Sequence, residues 1–214
     1  MIDLSLAVLL VSLAVALAGV AVWIYQLFSR PSACDPSPGK GSDKLGVLYA
    51  FTLGMLPWKK ESAGLHKIVY LRGICFHIGI FAGIVALILS IFGIAAGSTL
   101  NLVLSILMWI GAVAGVTAII SRATEANLRG ISRPDDYISP ALITLFMSMG
   151  ALHAMNLVDT VYFYAAASVL CLYLPWSKVR HCVYFFFMRG KIGAMMGHRG
   201  LLGTTQRQTR KGTP

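Results

Sequence analysis

Gly73-Ile74-Cys75-Phe76-His77-Ile78-Gly79-Ile80-Phe81-Ala82-Gly83 opens an apolar run that continues to Ala96 and carries one histidine. A helix needs about 20 apolar residues to cross ~30 Å of hydrocarbon at ~1.5 Å per residue, and this run supplies them. Working outward, four more runs reach that length: residues 4–28, 100–120, 138–158 and 161–188. The predicted fold is all-α, an integral membrane bundle of five transmembrane helices. Residues 1–190 form a single membrane domain, and 191–214 form a basic cytoplasmic tail. The composition agrees, with 57% hydrophobic and only 12% charged residues. The spans use most of the chain and leave no room for a soluble catalytic domain.

The net charge of +10 could point to nucleic acid, but its placement points to topology. Arg30, Lys40, Lys44, Lys59, Lys60, Lys67 and Arg72 lie between spans one and two or at that junction. Arg122, Arg129 and Arg133 lie between spans three and four, and the rest run from Lys178 to Lys211. The alternate connections, 97–99 and 156–160, hold no Lys or Arg. Basic residues favour the cytoplasmic side, so the N-terminus is expected outside and the C-terminus in the cytoplasm. The first run begins Met1-Ile2-Asp3 and is too long for a signal core, so it reads as a retained helix.

The connection between spans one and two is the longest. Residues 30–42 are rich in Pro, Ser and Gly and favour irregular backbone. Residues 45–58 are apolar, too short to span, and close on Pro57-Trp58-Lys59-Lys60. That pattern suits an interfacial or re-entrant helix with an aromatic–lysine anchor on lipid; the same pad would also seat a cytoplasmic partner. Ser139 and Pro140 suit the first turn of span four. Residues 190–214 read as a tail that is mobile or ordered only against another subunit. Cys34, Cys75, Cys171 and Cys182 show no paired spacing and no C-x-x-C-H, so covalent haem attachment is not indicated.

Histidine at membrane depth is costly and therefore a functional candidate. His77 lies a few residues after Arg72 in span two, and His181 lies in Pro175-Trp176-Ser177-Lys178-Val179-Arg180-His181 in span five. Counting from the basic ends, about 7.5 Å for His77 and about 12 Å for His181, both fall in the inner leaflet. Two imidazoles at one level on two helices are what a bis-histidine haem b requires, with His77 and His181 as the iron ligands. Lys178 and Arg180 precede His181, and haem propionates would supply their counter-charge; the other reading is that span five ends near Pro175 and both snorkel to the interface. Gly79 begins Gly79-x-x-x-Gly83, and Gly111-x-x-x-Gly115 repeats the spacing in span three. Such pairs admit a neighbouring helix or a flat cofactor. His153, three residues before Asn156 near the outer end of span four, either handles protons at an outer quinone site or is hydrogen-bonded at the interface. His66 and His198 fall in basic segments and read as solvated.

At these residues the sequence resembles the gamma subunit of respiratory nitrate reductase, a membrane cytochrome b. The likeness rests on Phe76-His77-Ile78-Gly79-Ile80 in span two, the Pro175 to His181 segment in span five, and the Arg122 to Arg129 spacing between spans three and four. It covers about residues 68–190. Related subunits of heterodisulfide reductase and of sulfate-reducer transmembrane redox complexes are closer in kind. In that family four histidines hold two haems. The resemblance implies that His77 and His181 form the cytoplasm-proximal pair, while the other pair falls at Leu87 and near Phe163 and is missing. It further implies an electron-transfer subunit, not catalytic alone, that links the quinone pool through one haem b to a cytoplasmic iron–sulfur subunit. Further membrane or periplasmic cytochrome subunits, and a bacterial or archaeal cytoplasmic membrane, belong to the same expectation. The rivals are a haem-less membrane anchor for a peripheral redox complex and a transporter with His153, Lys178 and Arg180 along a polar path. No internal repeat of the transporter kind is visible.

Overall fold

The computed structural model describes residues 3–29, 37–56 and 66–201. Eight α-helices form among them: α1 Leu4–Ser29, α2 Asp43–Phe51, α3 Lys67–Ile91, α4 Ser98–Thr124, α5 Ala126–Ile131, α6 Asp135–Ala154, α7 Thr160–Tyr173 and α8 His181–His198. Short 3-10 turns cover Leu53–Met55, Leu174–Trp176 and Lys178–Arg180. The described residues contain no strand. Helices α1, α3, α4 and α6 are each long and apolar enough to cross a membrane. A fifth crossing is counted only if Thr160–Trp176 and Lys178–His198 act together as one broken span.

The expected continuous fifth helix is therefore corrected to an interrupted one. Pro175 has no N–H to donate, which weakens the ladder there. Ser177 then turns its hydroxyl inward, donating to the Leu174 carbonyl at 3.2 Å and accepting the Val179 N–H at 3.1 Å. Span edges also shift. α3 begins at Lys67, well before Gly73, because helix continues past the apolar edge into the polar flank. α6 begins at Asp135 with two carboxylates in its first turn, which favour a helix N-terminus. Pro140 consequently lies inside α6 and not in its first turn.

Three helices end on the same backbone device. In α8 Gly200 takes φ of 67°, and the Leu201 N–H closes on the Met196 carbonyl at 3.0 Å. Gly93 and Asn156 take φ of 63° and 57°, the left-handed conformation. The next N–H then closes on a carbonyl five residues back, Ile94 to Leu89 and Leu157 to Leu152, each at 2.9 Å. These caps satisfy helix-end groups without water.

The chain divides into two compact units, Met1–Val22 with Ile68–Arg180, and Trp23–Lys67 with His181–Pro214. Unit one is a helical bundle whose interior is built from small residues and a few large ones. Ala82, Ala86, Met108, Ala112, Phe146, Met147, Ala151 and Phe163 meet there. Leucine gains nothing by leaving lipid tails for protein, so close packing through small residues holds such helices together. A Cβ on Gly79 would stand 2.7 Å from Gly111 Cα, and one on Gly83 would stand 2.7 Å from the Phe146 ring. Large side chains such as Val11, Phe81, Leu102 and Val113 point outward instead. That is the pattern of a surface in contact with lipid.

Unit two pairs α2 with α8. Ser42 caps α2, and Gly46 meets Gly193 and Gly197 of α8 backbone to backbone. Arg189 donates to the Ala50 carbonyl at 2.7 Å and the Gly54 carbonyl at 2.6 Å, closing the C-terminal end of α2. The Lys40 and Gly41 N–H groups, just before α2, donate to the His198 carbonyl at 2.7 and 3.1 Å and close the C-terminal end of α8. Residues 190–198, expected as loose tail, are thus helix, because glycines four apart let α2 approach. The expected segment 45–58 is helical only to Phe51, and its Pro57 to Lys60 anchor lies outside the described residues.

Candidate functional site

His77 projects from α3 in unit one and is exposed. Its Nδ1 lies 2.7 Å from the Gly73 carbonyl, one turn back. A carbonyl only accepts, so this bond places the proton on Nδ1 and leaves Nε2 as the basic nitrogen. Histidines that bind metal through Nε2 are oriented by the same contact. One turn earlier Arg72 donates to Ser121 Oγ at 2.8 Å and the Thr117 carbonyl at 3.4 Å, tying α3 to α4 below the imidazole.

Gly79 is two residues from His77 and hence on nearly the opposite side of α3. Its missing side chain makes room for Gly111 and the Met147 sulfur. Of the two uses expected for Gly79, a neighbouring helix or a flat cofactor, its contacts are with a neighbouring helix.

His181 is the first residue of α8, exposed, and belongs to unit two. The residues before it belong to unit one and are fixed by α6. Asp135 accepts the Lys178 N–H at 2.8 Å, the Ser139 hydroxyl at 2.7 Å and the Tyr173 hydroxyl. Asp136 receives the Lys178 ammonium, accepts the Arg133 N–H at 2.9 Å and has Arg122 at 3.8 Å. Lys178 thus finds its counter-charge within the chain. The need for a counter-charge, which pointed to a propionate, is met for Lys178 by Asp136. Arg180 ends the Lys178–Arg180 3-10 turn, half-buried, immediately before His181. Residue order alone does not single out the acid pair, because residues 121–137 are a polar stretch of mixed charge. Its signal was that both acids and Lys178 fall at the same predicted end of the bundle.

The opposite ends of α6 and α7 enclose a second polar region, wholly in unit one. An open cleft of about 400 Å³ is lined by His153, Asn156, Leu157, Asp159, Thr160 and Tyr162. Beside it lies a chamber of about 130 Å³ between Ala86, Leu89, Ser90, Asn101 and Leu104. His153 and Asn156 border both. The His153 ring stacks on Phe163 at 5.6 Å between centroids, and Phe163 stacks in turn on Phe146 at 5.4 Å. Imidazole, amide, carboxylate and phenol around the cleft, with Ser90 and Asn101 in the chamber beside it, can take a polar group and exchange its protons. Phe163 and Leu87, where the resemblance places the missing second histidine pair, are packed with the apolar core.

Cys75, Cys171 and Cys182 are free thiols. Among the described residues no three His, Cys, Asp or Glu side chains come together. The two histidines expected as ligands lie on separate helices, His77 on α3 and His181 at the start of α8. No family model, no curated protein and no solved structure matches this chain.

Proposed function

We propose that the protein is the membrane cytochrome b subunit of a quinone-linked oxidoreductase, with His77 and His181 as axial ligands of one haem b. The observation that carries this reading is the 2.7 Å contact of His77 Nδ1 with the Gly73 carbonyl. It presents an imidazole in the tautomer that iron takes, on a helix long and apolar enough to cross a membrane. The pairing with His181 rests on the sequence. A bound haem b would supply one-electron chemistry, tuned by its ligands and their hydrogen bonds.

The chain's own residues would have three tasks. Gly73 orients His77. The Asp135–Asp136 pair fixes the turn that leads to His181, and Arg180 stands as the cation beside that ligand. His153, with Asn156 and Asp159 at its cleft, would pass protons at a quinone head group. In this reading the N-terminus is outside and the C-terminus in the cytoplasm of a bacterial or archaeal cell. A cytoplasmic iron–sulfur subunit exchanges electrons on the basic side, with further cytochrome subunits completing the path. The haem-less anchor is the second reading, and the Lys178–Asp136 ion pair favours it, because that cation needs no cofactor to neutralise it.

The deciding measurement is the reduced-minus-oxidised visible spectrum of the chain purified from membranes, with haem counted per chain. A b-type band at one haem per chain, lost in both His77→Ala and His181→Ala but kept in His153→Ala, is expected. Circular dichroism and gel filtration would check that the variants fold. A colourless, well-folded wild type would leave the anchor reading standing.

A further inference from the structure

The two units divide the charge unequally. Among described residues each carries six Lys and Arg, yet unit one also carries Asp3, Glu125, Asp135, Asp136 and Asp159, while unit two carries only Asp43. Within unit two Arg189 is spent on the Ala50 and Gly54 carbonyls. Lys40, Lys44, Lys191 and Arg199 are exposed. On the same two-helix layer large apolar side chains are exposed as well: Leu45 at 63%, Leu48 at 59%, Phe186 at 64% and Ile192 at 47%.

We propose that the α2–α8 pair is a docking surface for anionic phospholipid, lying in the headgroup layer with its leucines and Phe186 towards the acyl boundary. Three features point to that occupant. Cations and large apolar side chains occur together, and a phospholipid interface satisfies both while water satisfies only the first. The excess positive charge complements an anionic leaflet, which attracts each nearby Lys or Arg. The C-terminal ends of both helices are closed within the unit, that of α2 by Arg189 and that of α8 by the Lys40 and Gly41 N–H groups on the His198 carbonyl, as a medium poor in water demands. Phe51 and Phe186 stack at 6.3 Å, which joins the apolar patches of the two helices. The inference does not depend on haem and would hold equally for an anchor.

The test uses the full chain in vesicles of phosphatidylcholine with and without phosphatidylglycerol. Leu48→Trp and Ile192→Trp variants, both at exposed positions, report depth by quenching with lipids brominated high or low on the acyl chain and with aqueous iodide; the native tryptophan signal is subtracted. Quenching by the shallow bromines and protection from iodide are expected. Native mass spectrometry of the detergent-solubilised chain should show phosphatidylglycerol retained over phosphatidylcholine. That preference should fall at least about fivefold in Lys40→Gln/Lys44→Gln/Lys191→Gln/Arg199→Gln, since each cation near the surface contributes. Iodide quenching of both reporters would overturn the proposal and assign the face to a soluble acidic partner. Strongest quenching by the deep bromines would overturn it in favour of a crossing helix, and an unchanged lipid preference would remove the role of charge.

Discussion

Asp135 accepts the backbone N–H of Lys178 at 2.8 Å, joining the first turn of α6 to the break that follows α7. A helix interrupted inside an apolar run leaves backbone groups without partners, and in hydrocarbon each such group costs several kcal/mol. Here Ser177 and Asp135 supply the missing partners. The break is thus a built feature of unit one, and it leads the chain directly to His181.

Replacing this carboxylate should be felt across the turn. Asp135→Ala removes the acceptor for Lys178 N–H, Ser139 Oγ and Tyr173 Oη together. Bonds to a charged acceptor each contribute about 1.5–3 kcal/mol where water is scarce, and partial exposure brings the expected total to about 2 kcal/mol. Lys178→Ala, which removes only a half-exposed ammonium, should cost less than about 1 kcal/mol. Thermal unfolding of both variants in one detergent checks the order. Equal losses would mean that the backbone bond contributes little.

Gly79 and Gly111 should tolerate no larger residue. With a Cβ on Gly79 only 2.7 Å from Gly111 Cα, the contact is backbone against backbone and neither side can give. Gly79→Leu should separate α3 from α4 at a cost of about 3 kcal/mol or more. Gly73→Leu, where nothing lies within 4 Å, serves as the control and should behave as wild type. Gel filtration and unfolding midpoints would distinguish them.

How much of this could be read beforehand differs from helix to helix. α1 covers Leu4–Ser29 almost as its apolar run predicts, because hydrophobic length alone defines a span. The break after Trp176 is only hinted at, by Pro175 and by the polar Ser177-Lys178-Val179-Arg180-His181 that follows, because the chain turns apolar again over Val183–Met188. Gly193-x-x-x-Gly197 carried the same spacing recognised at Gly79 and Gly83, yet its basic surroundings disguised it as tail. At the candidate site, His77 and His181 stood out because they are polar among apolar neighbours. Gly73 as the orienting carbonyl did not, since every residue has a carbonyl and only geometry selects one. Asp136 as the partner of Lys178 is likewise a contact between distant segments, and residue order holds no distance.

Phe163 should be the most sensitive side chain in unit one. It is 0% exposed, lies between Phe146 and His153, and borders Gly150. Phe163→Ala should cost about 3–5 kcal/mol, the range for a large aromatic whose site cannot collapse. His153→Ala, at the half-buried edge of the same stack, should cost clearly less. Unfolding of the two variants in matched detergent gives the comparison. If His153→Ala proved the more damaging, the stack would be anchored from the cleft and not from the core.

Unit two offers a test within a single helix. Gly190, Gly193 and Gly197 all lie in α8 and face α2, but only the last two press against its backbone. A Cβ on Gly193 would meet Ala50 Cβ and the Gly46 carbonyl oxygen at 2.8 Å, whereas at Gly190 the nearest atom is Phe51 Cε2 at 3.9 Å. Gly190→Ala should therefore be neutral or gain up to about 1 kcal/mol from helix propensity. Gly193→Leu should force α2 away and expose its amides. Hydrogen exchange over Asp43–Phe51 reads this directly, with protection kept in the first variant and lost in the second. Were protection kept in both, α2 would owe its order to its caps, and Arg189→Ala would then be the substitution that releases it.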